Sequence, residues 1–359
     1  MNSALAALIG LGISIVLIIR KVSPVFSLML GAIVGGLLAG WGLETTVTHM
    51  IGGVKDITPA IVRILAAGVL TGMLVKTGAA TTIAKSIIKA LGEKYIYLAL
   101  AISAMILTGM GVFIDVAVIT IAPIAIIMGC RLRLSKFKLL LAMIGGGKCG
   151  NILSPNPNTI IAAENFNAPL SSVMVAGIVP ALIGLIITVF VIVPLIPKGD
   201  LMVGDEATER DNEEALPALW RSLLGPIVTI ILLALRPIAG IVIDPMIALP
   251  VGGIVGIIAT GKWRETAACL TYGLEKMSGI AILLVGTGTL AGIIKASAIK
   301  DVLVGVLAGW SNGGTFMAPI AGALMSAATA STTAGATIAS ASFAEAIMTA
   351  GVAAVWGAA

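Results

Sequence analysis

Apolar runs of about the length needed to cross a bilayer follow one another along almost the whole chain, and charged residues are confined to the gaps between them. The runs fall at residues 2–19, 24–42, 57–75, 95–129, 138–165, 172–197, 222–243, 245–260, 277–294 and from 302 onward. A chain of 359 residues that is 58% hydrophobic and only 11% charged must be solvated largely by lipid. The fold class expected is therefore an all-α polytopic membrane protein. The opening run, Ala4 to Ile19, lacks a basic leader and is followed by more spans, so it is expected to be the first helix rather than a signal peptide.

Basic residues set the orientation. The net charge of +5 comes from 22 basic and 17 acidic residues, and the basic ones sit where loops would face the cytoplasm. Arg20 and Lys21 mark the first turn as cytoplasmic, as do Lys76, Lys85, Lys89 and Lys94 after the third run. No nucleic-acid surface is implied. The run 95–129 has basic flanks on both sides, with Arg131, Arg133, Lys136 and Lys138 after it. It should leave and re-enter on one side as a hairpin, or form a simple helix pair, with its tip at Thr108 to Asp115.

The segment 198–219 is the long polar stretch. Asp200, Asp205, Glu206, Glu209, Asp211, Glu213 and Glu214 make it acidic, as expected of a solvated cytoplasmic linker between two halves. The halves, 1–197 and 220–359, share a Gly-xxx-Gly helix, at Gly68 and Gly72 and at Gly288 and Gly292. Each such helix is followed by a basic amphipathic stretch and an apolar run ending in small polar residues. By the charge count the two helices run in opposite directions, the signature of an inverted repeat with discontinuous helices. Lys295 and Lys300 then face outward, against the charge rule. Nothing after Ala359 matches the end of the first half, so roughly 60 residues of the second repeat are expected to be missing.

The interruptions carry the chemistry. Gly145 to Thr159 opens on three glycines and contains Pro155 and Pro157, a composition expected to break a helix. Broken backbone at membrane depth is tolerated where it lines a polar cavity, and exposed helix amino termini there suit a carboxylate. Gly147, Lys148, Asn151, Ser154, Asn156, Asn158 and Thr159 are the candidate substrate ligands, with an ordinary extramembrane loop as the alternative. Lys148 is either a counter-ion for an anionic cargo or a partner for Glu164. Ser331, Thr332 and Thr333, with Thr337, form a second hydroxyl cluster that either faces the same cavity or bonds its own helix backbone. Asp115, set among apolar neighbours, is the candidate for proton coupling, or else a cap for the helix that follows it.

Other features point elsewhere. Cys130, Cys149 and Cys269 have no paired spacing, and His49, in a polar connector, is the only histidine. No disulfide framework, metal site or cofactor is called for. The Gly145–Gly150 run lacks the ending of a phosphate loop, so ATP drive is unsupported. The two Gly-xxx-Gly pairs are expected to be helix contact surfaces. No nucleophile stands with a base, which argues against an intramembrane enzyme.

The motif Gly109-Met-Gly-Val-Phe-Ile-Asp115-Val-Ala-Val-Ile, followed by Ile152-Leu-Ser-Pro-Asn-Pro-Asn-Thr-Ile-Ile-Ala-Ala, resembles the gluconate permease family of the ion-transporter superfamily. The likeness covers nearly the whole chain and includes the Thr-Ala-Ser-Thr-Thr-Ala-Gly cluster from Thr329. It implies import of a small organic acid, gluconate or a related sugar acid, by proton symport across the inner membrane. Alternatives are glycerate or D-serine as cargo, sodium as coupling ion, or a passive facilitator. The implied partners are a small carboxylate, protons and the lipid bilayer, and a homodimer is compatible with it. Asp115 falls where gluconate-type members carry an acidic residue. The family's tip histidines are absent from Gly150 to Pro157, and the family continues beyond Ala359.

Overall fold

The computed structural model describes residues 2–197, 201–202, 216–298, 313–329 and 332–359. Among them every element is helical, apart from one isolated bridge between Ser135 and Leu201. The expected spans appear as α1 (Ser3–Ile19), α2 (Pro24–Leu38), α3 (Leu43–Lys76), α4 (Ala79–Leu91), α5 (Ile96–Gly109), α6 (Ile114–Arg131), α7 (Lys136–Ile152) and α8 (Pro157–Asn165). After these come α9 (Leu170–Leu195), α10 (Leu219–Ala239), α11 (Pro245–Ala259), α12 (Thr266–Ala296), α13 (Gly313–Thr329), α14 (Thr332–Thr349) and α15 (Ala354–Ala358). Five of the described helices are long and apolar enough to cross a membrane, and α4 with α5, bent by 106° at their junction, is apolar enough for a broken span or a re-entrant loop.

Local signals set the starts of several helices. The Asn2 side chain accepts from the Ala4 amide at 3.0 Å, and that of Asp244 from the Met246 amide at 2.8 Å. Each satisfies a donor that the first turn leaves open. Pro24 and Pro245 sit at helix starts, where a missing N–H removes nothing.

Two helices exceed the hydropathic runs that announced them. α3 has 34 residues and α12 has 31, lengths of roughly 50 Å at about 1.5 Å per residue against a hydrocarbon core of about 30 Å. The stretch from Glu44 to Asp56 is therefore helix, and His49 lies in α3 rather than in a connector, its ring 4.8 Å from that of Trp41. Hydropathy marks only what lipid can solvate. Tertiary packing carries the helix further.

The chain forms two compact units, neither continuous in sequence: residues 1–64, 157–173 and 277–359, and residues 65–156 and 174–276. In the first, α1 packs on α2 where Gly10 faces the Gly31 carbonyl, leaving no room for a β-carbon on either glycine. Leu28, Met50, Leu290, Ile293 and Ile338 fill the core beside this pair. Gly53 of α3 faces Gly288 and Gly292 of α12, and Gly292 also abuts the His49 carbonyl, so this contact is antiparallel. In the second unit, Gly72 abuts the Cys269 carbonyl and Gly273 that of Gly68. Both Gly-xxx-Gly pairs are thus helix contact surfaces, as expected. α10 and α11 approach through Gly225 and Gly252, beside Thr229.

The acidic residues of the linker, Lys300, Ser331 and most of the run after 302 up to Gly313 lie outside the described residues.

Candidate functional site

In the second unit the interruption after α5 is four residues, Met110–Phe113. Gly111 has φ +98°, a conformation that strains any residue with a β-carbon. The Val112 amide donates to the Leu107 carbonyl at 3.1 Å and the Gly111 amide to that of Thr108 at 2.9 Å, closing α5 with a glycine cap of Schellman type. The Thr71 hydroxyl donates to the Gly111 carbonyl at 3.1 Å. Gly111→Ala is expected to cost about 1–2 kcal/mol through the left-handed backbone alone, read as a lower melting temperature of the purified protein in detergent.

Asp115 lies in the first turn of α6 and is exposed on the chain. There its charge favours the helix amino terminus. It also acts electrostatically on the Tyr272 phenol, whose ring lies 5.1 Å from Lys76 Nζ and 5.5 Å from Lys276 Nζ. Asp115 is thus part of a polar group at the end of an apolar run.

The second interruption is narrower than its composition suggests. Gly145 to Asn151 is helix, the end of α7, and only Leu153–Asn156 departs from it. The glycines are helical because α7 lies so close to α5 that no β-carbon fits: Gly146 abuts the Ala101 carbonyl and Gly150 that of Met105. Close helix packing offsets the roughly 1 kcal/mol that each helical glycine costs. The two interruptions come together, since the Thr108 hydroxyl reaches the Gly147 carbonyl at 2.9 Å and Gly147 faces Ile114.

The candidate ligands fall into four groups. Asn151, Ser154 and Asn156 close the end of α7: Asn156 Nδ2 donates to the Asn151 carbonyl at 2.8 Å and to Ser154 Oγ at 2.6 Å. Ser154 Oγ donates to the same carbonyl at 3.3 Å, and both side chains are buried. Gly147 is buried and Lys148 half-buried on α7. Asn158 and Thr159, in the first turn of α8, belong to the first unit. Thr332 is exposed and Thr333 half-buried at the start of α14, while the Thr337 hydroxyl donates to the Thr333 carbonyl at 2.6 Å, bonding its own helix.

A polar cavity of about 600 Å³ opens in the first unit, between α3, α8, α12 and α14. Asp56, Glu164, Asn165, Lys295, Ser340 and Glu345 supply its polar wall. Lys295 Nζ pairs with Asp56 Oδ2 at 2.7 Å, the two side chains 66% and 55% exposed. Arg63 pairs with Glu164, at 25% and 26% exposed. Asn165 Nδ2 donates to Ser340 Oγ at 2.8 Å. Glu164 is thus partnered by Arg63, which sequence reasoning passed over, along with Asp56, Asn165, Ser340 and Glu345. Arg63 did carry a signal, being a charge inside the apolar run 57–75.

A family profile described as GntP family permease matches residues 3–355. The chain is 51% identical over 357 residues to an uncharacterized transporter of Haemophilus influenzae, covering 99% of this chain and 85% of that one. It is 26% identical to a high-affinity gluconate transporter of Escherichia coli over 65% of this chain, spanning 53% of that relative's length. A gluconate permease of Pseudomonas aeruginosa is 23% identical, with 84% of this chain and 72% of that one covered. Among solved structures, the YdaH transporter of Alcanivorax borkumensis, described as having an unusual topology, superposes with a TM-score of 0.55 at 14% identity. The superposition covers 88% of this chain and 75% of that one, a likeness of fold.

Proposed function

The chain belongs to the GntP permease family, and from membership of these multi-pass inner-membrane transporters we propose that it imports a small organic acid by proton symport. Gluconate or a related sugar acid is the cargo favoured by the names of the relatives. The observation that carries the proposal is the cavity of about 600 Å³ walled by charged and amide side chains, in a chain that is otherwise 58% hydrophobic. Pockets for small molecules span roughly 300–1,000 Å³ and orient their ligand through a few placed polar groups.

In this proposal Asp115 carries the coupling proton. Gly147, Lys148, Asn151, Ser154, Asn156, Asn158 and Thr159 contact the cargo at a stage of the cycle in which the Leu153–Asn156 break opens. Ser331, Thr332 and Thr333 complete its surroundings, and the halves 1–197 and 220–359 act as inverted repeats. The capping role of Asn156 and Ser154 supports this, because their bonds to one carbonyl can be exchanged for bonds to ligand hydroxyls.

Proteoliposomes holding the purified chain, acidic outside, are expected to accumulate labelled gluconate above its external concentration, and a protonophore should abolish the excess. Uptake that ignores the pH gradient would overturn the coupling. Accumulation driven by a sodium gradient instead would replace the proton. Competition by glycerate and D-serine ranks the cargo class.

A further inference from the structure

We propose that Glu164 stands in the empty transporter for the carboxylate of the substrate: an acid entering the cavity takes over the Arg63 guanidinium, and the displaced Glu164 takes up the proton that travels with it. This rests on the permease being one for organic acids.

The geometry of the first unit carries the inference. Glu164 is in the cavity wall and Arg63 is not, so a ligand in the cavity meets Glu164 first and reaches Arg63 only by displacing it. Both side chains are about three-quarters buried, at 25% and 26% exposed, so their attraction is little screened. The other pair in the wall, Lys295 with Asp56, is 66% and 55% exposed and correspondingly weak. A guanidinium presents a planar fork of donors matched to a carboxylate, which an ammonium does not. Glu164 and a sugar acid offer that fork the same group. Asn165 and Ser340, already bonded to each other at the same wall, offer amide and hydroxyl partners for the hydroxyls of such an acid.

Displacement leaves Glu164 without its cation. The charged groups that line the cavity beside it are Asp56 on α3, Glu345 on α14 and Lys295 on α12, the last held by Asp56; α13 and α15 bring no charged side chain. A carboxylate stripped of its guanidinium beside two other acids sheds its charge by binding a proton from the water of the cavity. No bond other than that O–H is formed. By linkage, a proton on Glu164 and an acid on Arg63 then favour one another. Glu164 sets the proton uptake at binding, a readout separate from the accumulation that the proposed role of Asp115 governs.

Gluconate is added to the purified full chain in weakly buffered detergent, with proton uptake read by a pH dye and affinity by calorimetry at about pH 6 and about pH 8. The wild type is expected to take up protons as it binds and to bind more tightly at the lower pH. Glu164→Gln should bind about tenfold more tightly at neutral pH, since the competing charge is gone, and should lose the proton uptake. Arg63→Gln should weaken binding about a hundredfold. If that variant does not fold, Arg63→Lys should bind more weakly than wild type while keeping the proton uptake. Unchanged proton uptake in Glu164→Gln, or wild-type affinity in Arg63→Lys, overturns the exchange while leaving an organic-acid permease standing. A wild type that binds no small carboxylate overturns both.

Discussion

Asp115→Asn is expected to abolish proton-driven accumulation while leaving exchange of labelled for unlabelled substrate across the membrane. An amide has nearly the shape of the carboxyl and keeps hydrogen-bonding capacity, but it cannot take up and release a proton. For an anion carried with one proton, a gradient of about one pH unit supports about tenfold accumulation, because one unit is worth about 1.4 kcal/mol. The variant should bring that ratio to unity, measured as labelled gluconate inside proteoliposomes at steady state. Exchange, which shuttles the loaded carrier without discharging it, is the control that separates lost coupling from lost folding. Retained accumulation would sink the role of Asp115.

Gly146→Val is expected to prevent α5 and α7 from packing at all. A β-carbon there overlaps the carbonyl, the carbonyl carbon and Cα of Ala101, all of them backbone atoms that no rotamer change can move. Overpacking of this kind costs about 1–3 kcal/mol where side chains can yield, and more where helix backbones must separate. Separation would also break the bond from Thr108 to the Gly147 carbonyl and pull the two interruptions apart. The measurable result is loss of a monodisperse peak on size exclusion and a collapse of detergent-extracted yield. Gly12→Val is the control, since a β-carbon at Gly12 meets nothing within 4 Å. If Gly146→Val melts like wild type, the close approach of α5 and α7 is wrong.

The break at Met110–Phe113 was legible because Gly109, Gly111 and Asp115 interrupt an otherwise apolar run, and a charge next to glycines inside such a run has few structural explanations. Gly145 to Asn151 was misread by the same logic. Glycine propensity argues against helix, yet the carbonyls of Ala101 and Met105, some 45 positions earlier, make glycine obligatory in one. The helical character of Glu44 to Asp56 escaped notice because polar residues there ended the hydropathic signal, while Gly53 was packing on α12. Arg63 and Glu164 lie 101 positions apart, and no local pattern joins them.

By itself the sequence determined that this chain is solvated by lipid, that apolar spans follow one another along it with a break at Met110–Phe113, and which family it resembles. Those properties are sums over neighbouring residues: transfer of apolar side chains, repulsion of charges from hydrocarbon, and the backbone limits of glycine and proline all act within a few positions. Only the tertiary structure decided that the glycines of α7 are a contact surface, that Glu164 is held by Arg63, and where the polar cavity lies. Close packing and ion pairing depend on distances of a few ångströms between residues remote in the chain, and such distances exist only after the helices have assembled.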